Sequence, residues 1–290
     1  MTSPLLPAGA HVGPVTLQVA SLERSLAFYE GVIGFYRHVI NTDGNNRVAT
    51  LGVRGEPAPL LHLRERPGVR PVSRRGQIGL YHFAVLLPDR ADLGRFVVHA
   101  TNAGARFAAA DHLFSEALYL TDPDGLQIEV YRDRPRKEWT YAGGELVGDT
   151  LALDFDPVVA SAAGTTWQGL PSGAHIGHVH LYVRDLDQAR AFYVSALGFA
   201  PTLTSFPGAL FVAAGNYHHH VGLNTWAAGA PLATDDDARM IQWDLVLPDA
   251  AHLDAAAERL RRAGYRVEPG PSGRGFVARD PWDIAVCLTT

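Results

Sequence analysis

Two histidines and one glutamate, each on its own strand-like stretch, are the residues of this sequence best suited to chemistry. His82 sits in Leu80–Pro88 (LYHFAVLLP) and His178 in Ile176–Val183 (IGHVHLYV). Each lies seven residues before an aspartate placed to cap a helix, Asp89 and Asp185. Glu129 sits in Leu126–Tyr131 (LQIEVY), just after the turn Asp122-Pro123-Asp124-Gly125. Two imidazoles and one carboxylate are the ingredients of a facial triad on non-haem Fe(II), which leaves other coordination positions open. The residues therefore point to an oxygen-using metalloenzyme. One ambiguity stays in the register. His180 shares a strand face with His178 because side chains repeat every second position, so a shift of two residues exchanges them.

The elements that must position these residues recur along the chain. Val15–Val19, a cap at Ser21, a helix with Phe28-Tyr29 and then Gly34-Phe35 return as Val179–Val183, Asp185, Phe192-Tyr193 and Gly198-Phe199. Cap and glycine stand 13 residues apart in both copies. A second type of unit runs from Asp89 to Gly104 and from Asp249 to Gly264, 15 residues each time. Ser and Asp caps accept hydrogen bonds from the free N–H groups of a first helical turn, and glycine suits the left-handed residue that ends a helix. Short β-rich runs follow each helix. The order strand, helix, three strands thus occurs four times, starting near residues 12, 78, 176 and 240. In the last strands apolar Leu126, Ile128 and Val130 alternate with Gln127, Glu129 and Tyr131, giving one face for the core and one for a concave surface. The expected fold is α+β, with four βαβββ modules forming two curved-sheet cups. Residues 1–131 and 175–290 hold two modules each, and 132–174, with little periodicity, form a connector packed by its tryptophans.

Composition limits the alternatives. A chain of 290 residues, 47% hydrophobic and 19% charged, is long enough for two cores. Its net charge of −5 argues against a nucleic-acid partner, which requires a basic face. The lone Cys287 excludes an internal disulfide framework and a multi-cysteine zinc site. No apolar run has membrane-spanning length and no signal peptide is visible at the N-terminus, so a cytoplasmic protein without a membrane partner is expected.

Four such units with these ligands resemble the vicinal oxygen chelate superfamily of glyoxalases, bleomycin resistance proteins and extradiol dioxygenases. Within it they resemble the type I extradiol ring-cleaving dioxygenases of the catechol 2,3-dioxygenase kind. The resemblance covers nearly the whole chain apart from the connector. It implies that Tyr119, ten residues before Glu129 across the Thr-Asp-Pro-Asp-Gly turn, is the substrate-binding tyrosine of that family. It implies that Asn216-Tyr217-His218-His219-His220 supplies the acid–base histidine, assigned to His219. Asp111, His112, His180 and His218 are the further substrate-contacting candidates. The common arrangement has its site in the third and fourth units, but here the fourth unit offers Gln242 and Cys287 at the ligand positions and the first offers Pro14. One site from units two and three is therefore expected, with units one and four forming a vacant cup. The implied cofactor is Fe(II), with Mn(II) as alternative, and the implied reactants are an aromatic diol and O2. A homo-oligomer is expected from the exposed sheet edges. A glyoxalase-like lyase or isomerase and a metal-free drug-binding resistance protein are the competing readings. The first usually carries a second carboxylate where this chain has His218 or His219, and the second needs no ligands.

Overall fold

In the computed structural model, which describes residues 6–44, 46–270, 273 and 275–290, the four repeats each open on one long strand: His11–Val19, Gly79–Leu87, His175–Tyr182 and Arg239–Val246. Each strand runs into a helix through the predicted cap. Ser21, Asp89, Asp185 and Asp249 accept from the backbone N–H of Arg24, Asp92, Gln188 and His252. The four closing glycines, Gly34, Gly104, Gly198 and Gly264, all have φ between 67° and 102°, a left-handed conformation that costs other residues energy. The two shorter helices, starting at Leu22 and Leu186, end in π-helical turns carrying Tyr29 and Tyr193. Those tyrosines donate to the buried carboxylates Asp122 and Asp280 of the neighbouring repeats, at 3.0 and 2.9 Å. Units one and two are locked together in this way, as are units three and four.

The repeats pair differently in the sheets. One eight-stranded sheet comes from units two and three, the other from units one and four. In each, the two opening strands pair antiparallel at the centre, and each also pairs in parallel with the last strand of its own unit. Each chain half, 1–131 or 175–290, therefore gives one module to each sheet. The apolar faces of both sheets share one cluster of buried side chains, including Phe83, Phe96, Phe192, Phe199 and Trp243. Each such side chain contributes about 1.5–3 kcal/mol through burial.

The segment after Asp133 is more regular than its sequence suggests. It contains a hairpin from Tyr141–Ala142 to Glu145–Leu146 and a helix, Phe155–Ser161, capped by Asp154. That helix packs on Arg90–Asn102 at Gly94, where a Cβ would lie 2.3 Å from the Val158 carbonyl oxygen. Seven residues are too few for a periodic signal, so the pattern gave no warning. Trp139 is buried as expected.

Two β-bulges set the central register. Ile176 pairs with Val85 and His178 with Ala84, which leaves Gly177 as an extra residue. Likewise Leu181 pairs with Leu80 and His180 with His82, which leaves Tyr81 extra. A bulge reverses the alternation of faces. Ile176 and Leu80 therefore point into the core, although His178 and His82, two residues on, face the other way. Gly177 is required for close packing, since a Cβ there would lie 1.9 Å from the hydroxyl of buried Tyr131. Gly177→Ala should accordingly cost about 1–3 kcal/mol in urea unfolding, as overpacking does. Gly31→Ala, with nothing within 4 Å of its Cβ, should be neutral or gain up to about 1 kcal/mol.

A candidate metal centre

The central strands bring His82 and His178 together, and the Gln127–Asp133 strand sets Glu129 beside Ala84. Glu129 Oε2 lies 3.0 Å from Nε2 of His82 and 3.0 Å from Nε2 of His178, and the two nitrogens are 3.3 Å apart. All three residues are buried, at 2–3% exposure. Among the described residues this is the one group of three or more metal-capable side chains whose donor atoms converge. Burial opposes ionisation of Glu129, but the charge and hydrogen bonds of His178, with those of His82, outweigh it and hold the carboxyl well below its ordinary range. Burial pushes His178 down to about 4. Near neutral pH the site holds a carboxylate and a neutral His178 imidazole, the states that bind a metal.

The donor set fits a divalent first-row cation. Donors at about 2.1 Å and at right angles to one another stand about 3.0 Å apart, as an octahedral face demands. Nδ1 of His82 and Nδ1 of His178 are buried without a hydrogen-bond partner among the described residues. Each can carry its ring proton there, which leaves the Nε2 lone pairs aimed at the common point.

His180 sits one step further along the same face but does not join the three. The Asn224 side-chain amide donates to its Nε2 at 3.0 Å, which occupies the lone pair a ligand would need. Its ring fills the space that Gly222 leaves open, where a Cβ would lie 2.7 Å from the imidazole. Burial holds it well below the usual histidine range.

A cavity of about 500 Å3 opens over the three residues. Tyr119, His180 and His219 line it around the metal-capable end, Phe206, Phe211 and Trp226 form an aromatic wall, and Arg74 and Arg106 lie towards solvent. Tyr119 pairs directly across from Glu129, and its hydroxyl lies 2.7 Å from His112 Nε2. His112 Nδ1 lies 2.8 Å from the Asp149 carbonyl oxygen, which can only accept. In the neutral ring the His112 proton is thus on Nδ1, Nε2 accepts from the Tyr119 hydroxyl, and the phenol oxygen keeps its lone pairs for the cavity. Burial, reinforced by the Glu129 charge, raises the Tyr119 pKa well above its ordinary value.

Two sequence candidates lie outside the cavity lining. The Asp111 carboxylate pairs with Arg134 and accepts from the Leu113 backbone N–H. His218 turns away to Asp133 Oδ1 at 2.9 Å and stacks on Phe114. Neither side chain is among those that line the cavity, where the sequence had placed both as substrate contacts. The run His218–His220 is buried at all three residues, and the strand begins only at Val221. His219 faces the cavity with its ring centroid 4.2 Å from that of His178, while His220 Nδ1 accepts from the Ala214 backbone on the core side. Irregular backbone here lets three consecutive residues take three directions.

Several cavity residues escaped the sequence. Tyr81 reaches the site because the bulge turns it to the His82 face. Behind the lining, Asp133 shares a face with Glu129 and Tyr131 and meets His218, and extending the strand by one pair of residues would have found it. Gly148, Asp149 and Thr150, in the segment between the halves, wall one side of the cavity, where no pattern marks them. In the other sheet Gln242 donates to Asp244 and Cys287 is buried, without a converging ligand set among the described residues.

Comparison with known proteins agrees with this arrangement. Residues 11–130 and 175–288 match the Glyoxalase/Bleomycin resistance protein/Dioxygenase superfamily. The chain is 42% identical over 275 residues to a catechol-2,3-dioxygenase of Bacillus subtilis, covering 93% of this chain and 94% of that protein. Among solved structures, a candidate dioxygenase from Bacillus subtilis superposes with a TM-score of 0.68 at 13% identity, over 99% of this chain and 86% of that one. A glyoxalase I variant from Zea mays gives 0.61 at 16% identity, over 96% and 93%. These structures share the fold. By sequence match and architecture, the chain belongs to the glyoxalase, bleomycin resistance protein and dioxygenase superfamily.

Proposed function

We propose that this protein is an Fe(II)-dependent extradiol dioxygenase that opens the ring of a catechol-type substrate beside its two hydroxyls, using both atoms of O2. The observation that carries this reading is the convergence of His82, His178 and Glu129 at the floor of a cavity lined by Tyr119 and His219. The 42% identity to a catechol-2,3-dioxygenase over most of both chains supports it. Mn(II) suits the same donors.

His82, His178 and Glu129 would hold the cation, which when bound supplies a positive charge and open positions where a vicinal diol and O2 meet. The protein's own residues do the rest. The aromatic wall of Phe206, Phe211 and Trp226 excludes water and holds a planar ring. Tyr119, whose proton is directed to His112, accepts a hydrogen bond from a substrate hydroxyl. His219 takes a proton from the diol and later returns one to an oxygen of the product, a role suited to imidazole. The single carboxylate and the histidine facing it favour oxygen chemistry over the lyase or isomerase reading.

His82→Ala, His178→Ala and Glu129→Ala should each lose stoichiometric iron by metal analysis while keeping a cooperative fold. His180→Ala should retain it, and metal loss there would move the ligand role by two residues. Gln242→Ala and Cys287→Ala should leave iron content and turnover unchanged. Chelation should abolish catechol-dependent oxygen uptake, with Fe(II) under anaerobic reconstitution restoring it. No uptake across a panel of catechols and hydroquinones would sink the proposal. At full iron occupancy His219→Gln should slow ring opening about 10²–10⁴-fold, the range for a positioned proton-transfer group. His220→Gln, on the core side, should leave turnover per folded protein nearly intact.

A further inference from the structure

We propose that Asp133 and His218 are positioning residues that fix the ring proton of His219 on Nδ1, so that Nε2 presents its lone pair to the cavity. Only the catalytic consequence rests on the proton-acceptor role given to His219 above. The hydrogen bonds themselves do not.

With His218 neutral, the chain of contacts has one consistent direction. His218 Nε2 lies 2.9 Å from Asp133 Oδ1, and an ionised carboxylate can only accept. With one proton on its ring, His218 carries it on Nε2, and its Nδ1 is an acceptor. His218 Nδ1 in turn lies 2.8 Å from His219 Nδ1. Two ring nitrogens at that distance need one proton between them, and His219 must supply it. A neutral imidazole has one proton to give, so Nε2 of His219 is left unprotonated. The His219 ring lines the cavity, and its one hydrogen-bond contact among the described residues is the Nδ1 contact with His218.

The chain is held rigidly. The His218 side chain is wholly buried, stacked on Phe114 with ring centroids 4.8 Å apart and packed against Tyr217 at 4.0 Å and Trp139 at 5.6 Å. Tyr217 is fixed in turn by a 2.7 Å hydrogen bond between its hydroxyl and that of Tyr131. Glu129, Tyr131 and Asp133 are alternate residues of one strand and so share a face. The strand that carries the carboxylate among the metal-capable donors thus also carries the one that orients the proton acceptor. This is the logic of an orienting acid behind a histidine base, with a second histidine inserted between them.

The test uses the full chain with 15N-labelled histidine, loaded with diamagnetic Zn(II), and long-range 1H–15N correlation spectra that distinguish the two imidazole tautomers. Assignment comes from His218→Gln and His219→Gln. His218 is expected as the Nε2–H form and His219 as the Nδ1–H form. Asp133→Asn, whose amide can donate as well as accept, should convert the His219 signature to a mixture. With Fe(II) at full occupancy it should lower kcat about 10²-fold, the lower end for a proton-transfer group, with KM little changed. Asp133→Glu should retain the tautomer and recover turnover. A wild-type His219 protonated on Nε2 would overturn the proposal, as would a doubly protonated His218. So would an Asp133→Asn protein with unchanged tautomer and kcat. The spectra decide the hydrogen-bond chain independently of the substrate. Expected spectra in a protein that consumes no oxygen with any catechol would remove the proposed activity and leave the chain standing.

Discussion

Glu129 is a buried carboxylate between two buried imidazoles, and much of the site follows from that constraint. An ionised carboxyl deep in a sheet is costly unless positive charge or donors meet it. Here Nε2 of His82 and Nε2 of His178 stand 3.0 Å from it, at the spacing at which a cation would supply the positive charge. Holding three such groups together requires rigid surroundings. They lie on the two central strands and one flanking strand of an eight-stranded sheet, where every neighbour is hydrogen-bonded on both sides.

The repeats make this geometry available twice, but among the described residues only one copy has a converging donor set. Units two and three meet at a pseudo-symmetric pair of bulges, at Tyr81 and Gly177, each immediately before a histidine of the metal-capable group. The bulges let an apolar residue and a histidine two positions apart face opposite sides, so one strand serves both the core and the cup. They differ in use. Gly177 vacates space for Tyr131, whereas Tyr81 projects into the cavity. The sheet of units one and four spends the corresponding positions on Gln242, paired with Asp244, and on the buried thiol of Cys287.

The segment between the halves contributes more than a tether. Its Leu151 extends the sheet by bridging to Asp111, and its Glu145 accepts from Thr204 and Ser205 of unit three. Between these anchors, the Asp149 carbonyl fixes the tautomer of His112 and so the direction of the Tyr119 hydroxyl. A backbone atom with no sequence signature therefore sets the polarity of a phenol that lines the cavity.

Much of the architecture was legible without coordinates. The caps Ser21, Asp89, Asp185 and Asp249 and the closing glycines declare four repeats, because capping chemistry and left-handed backbone restrict residue type at a single position. Glu129 and Tyr119 were legible because a strand and its neighbour across a tight turn have fixed register. The choice between His178 and His180 was not legible. Both face the cup, and only the amide of Asn224 on the adjacent strand decides which lone pair is free. Nor could alternation separate His218 from His219, since the strand has not yet begun and their directions come from Asp133, Phe114 and His178 around them. The sequence by itself determined which local units form and which residues could ligate, since those depend on near neighbours along the chain. Only the tertiary structure decided which repeats pair, which nitrogen is unoccupied and which way each histidine turns, since those depend on partners distant in the chain, such as His82 with His178 and His11 with Val246.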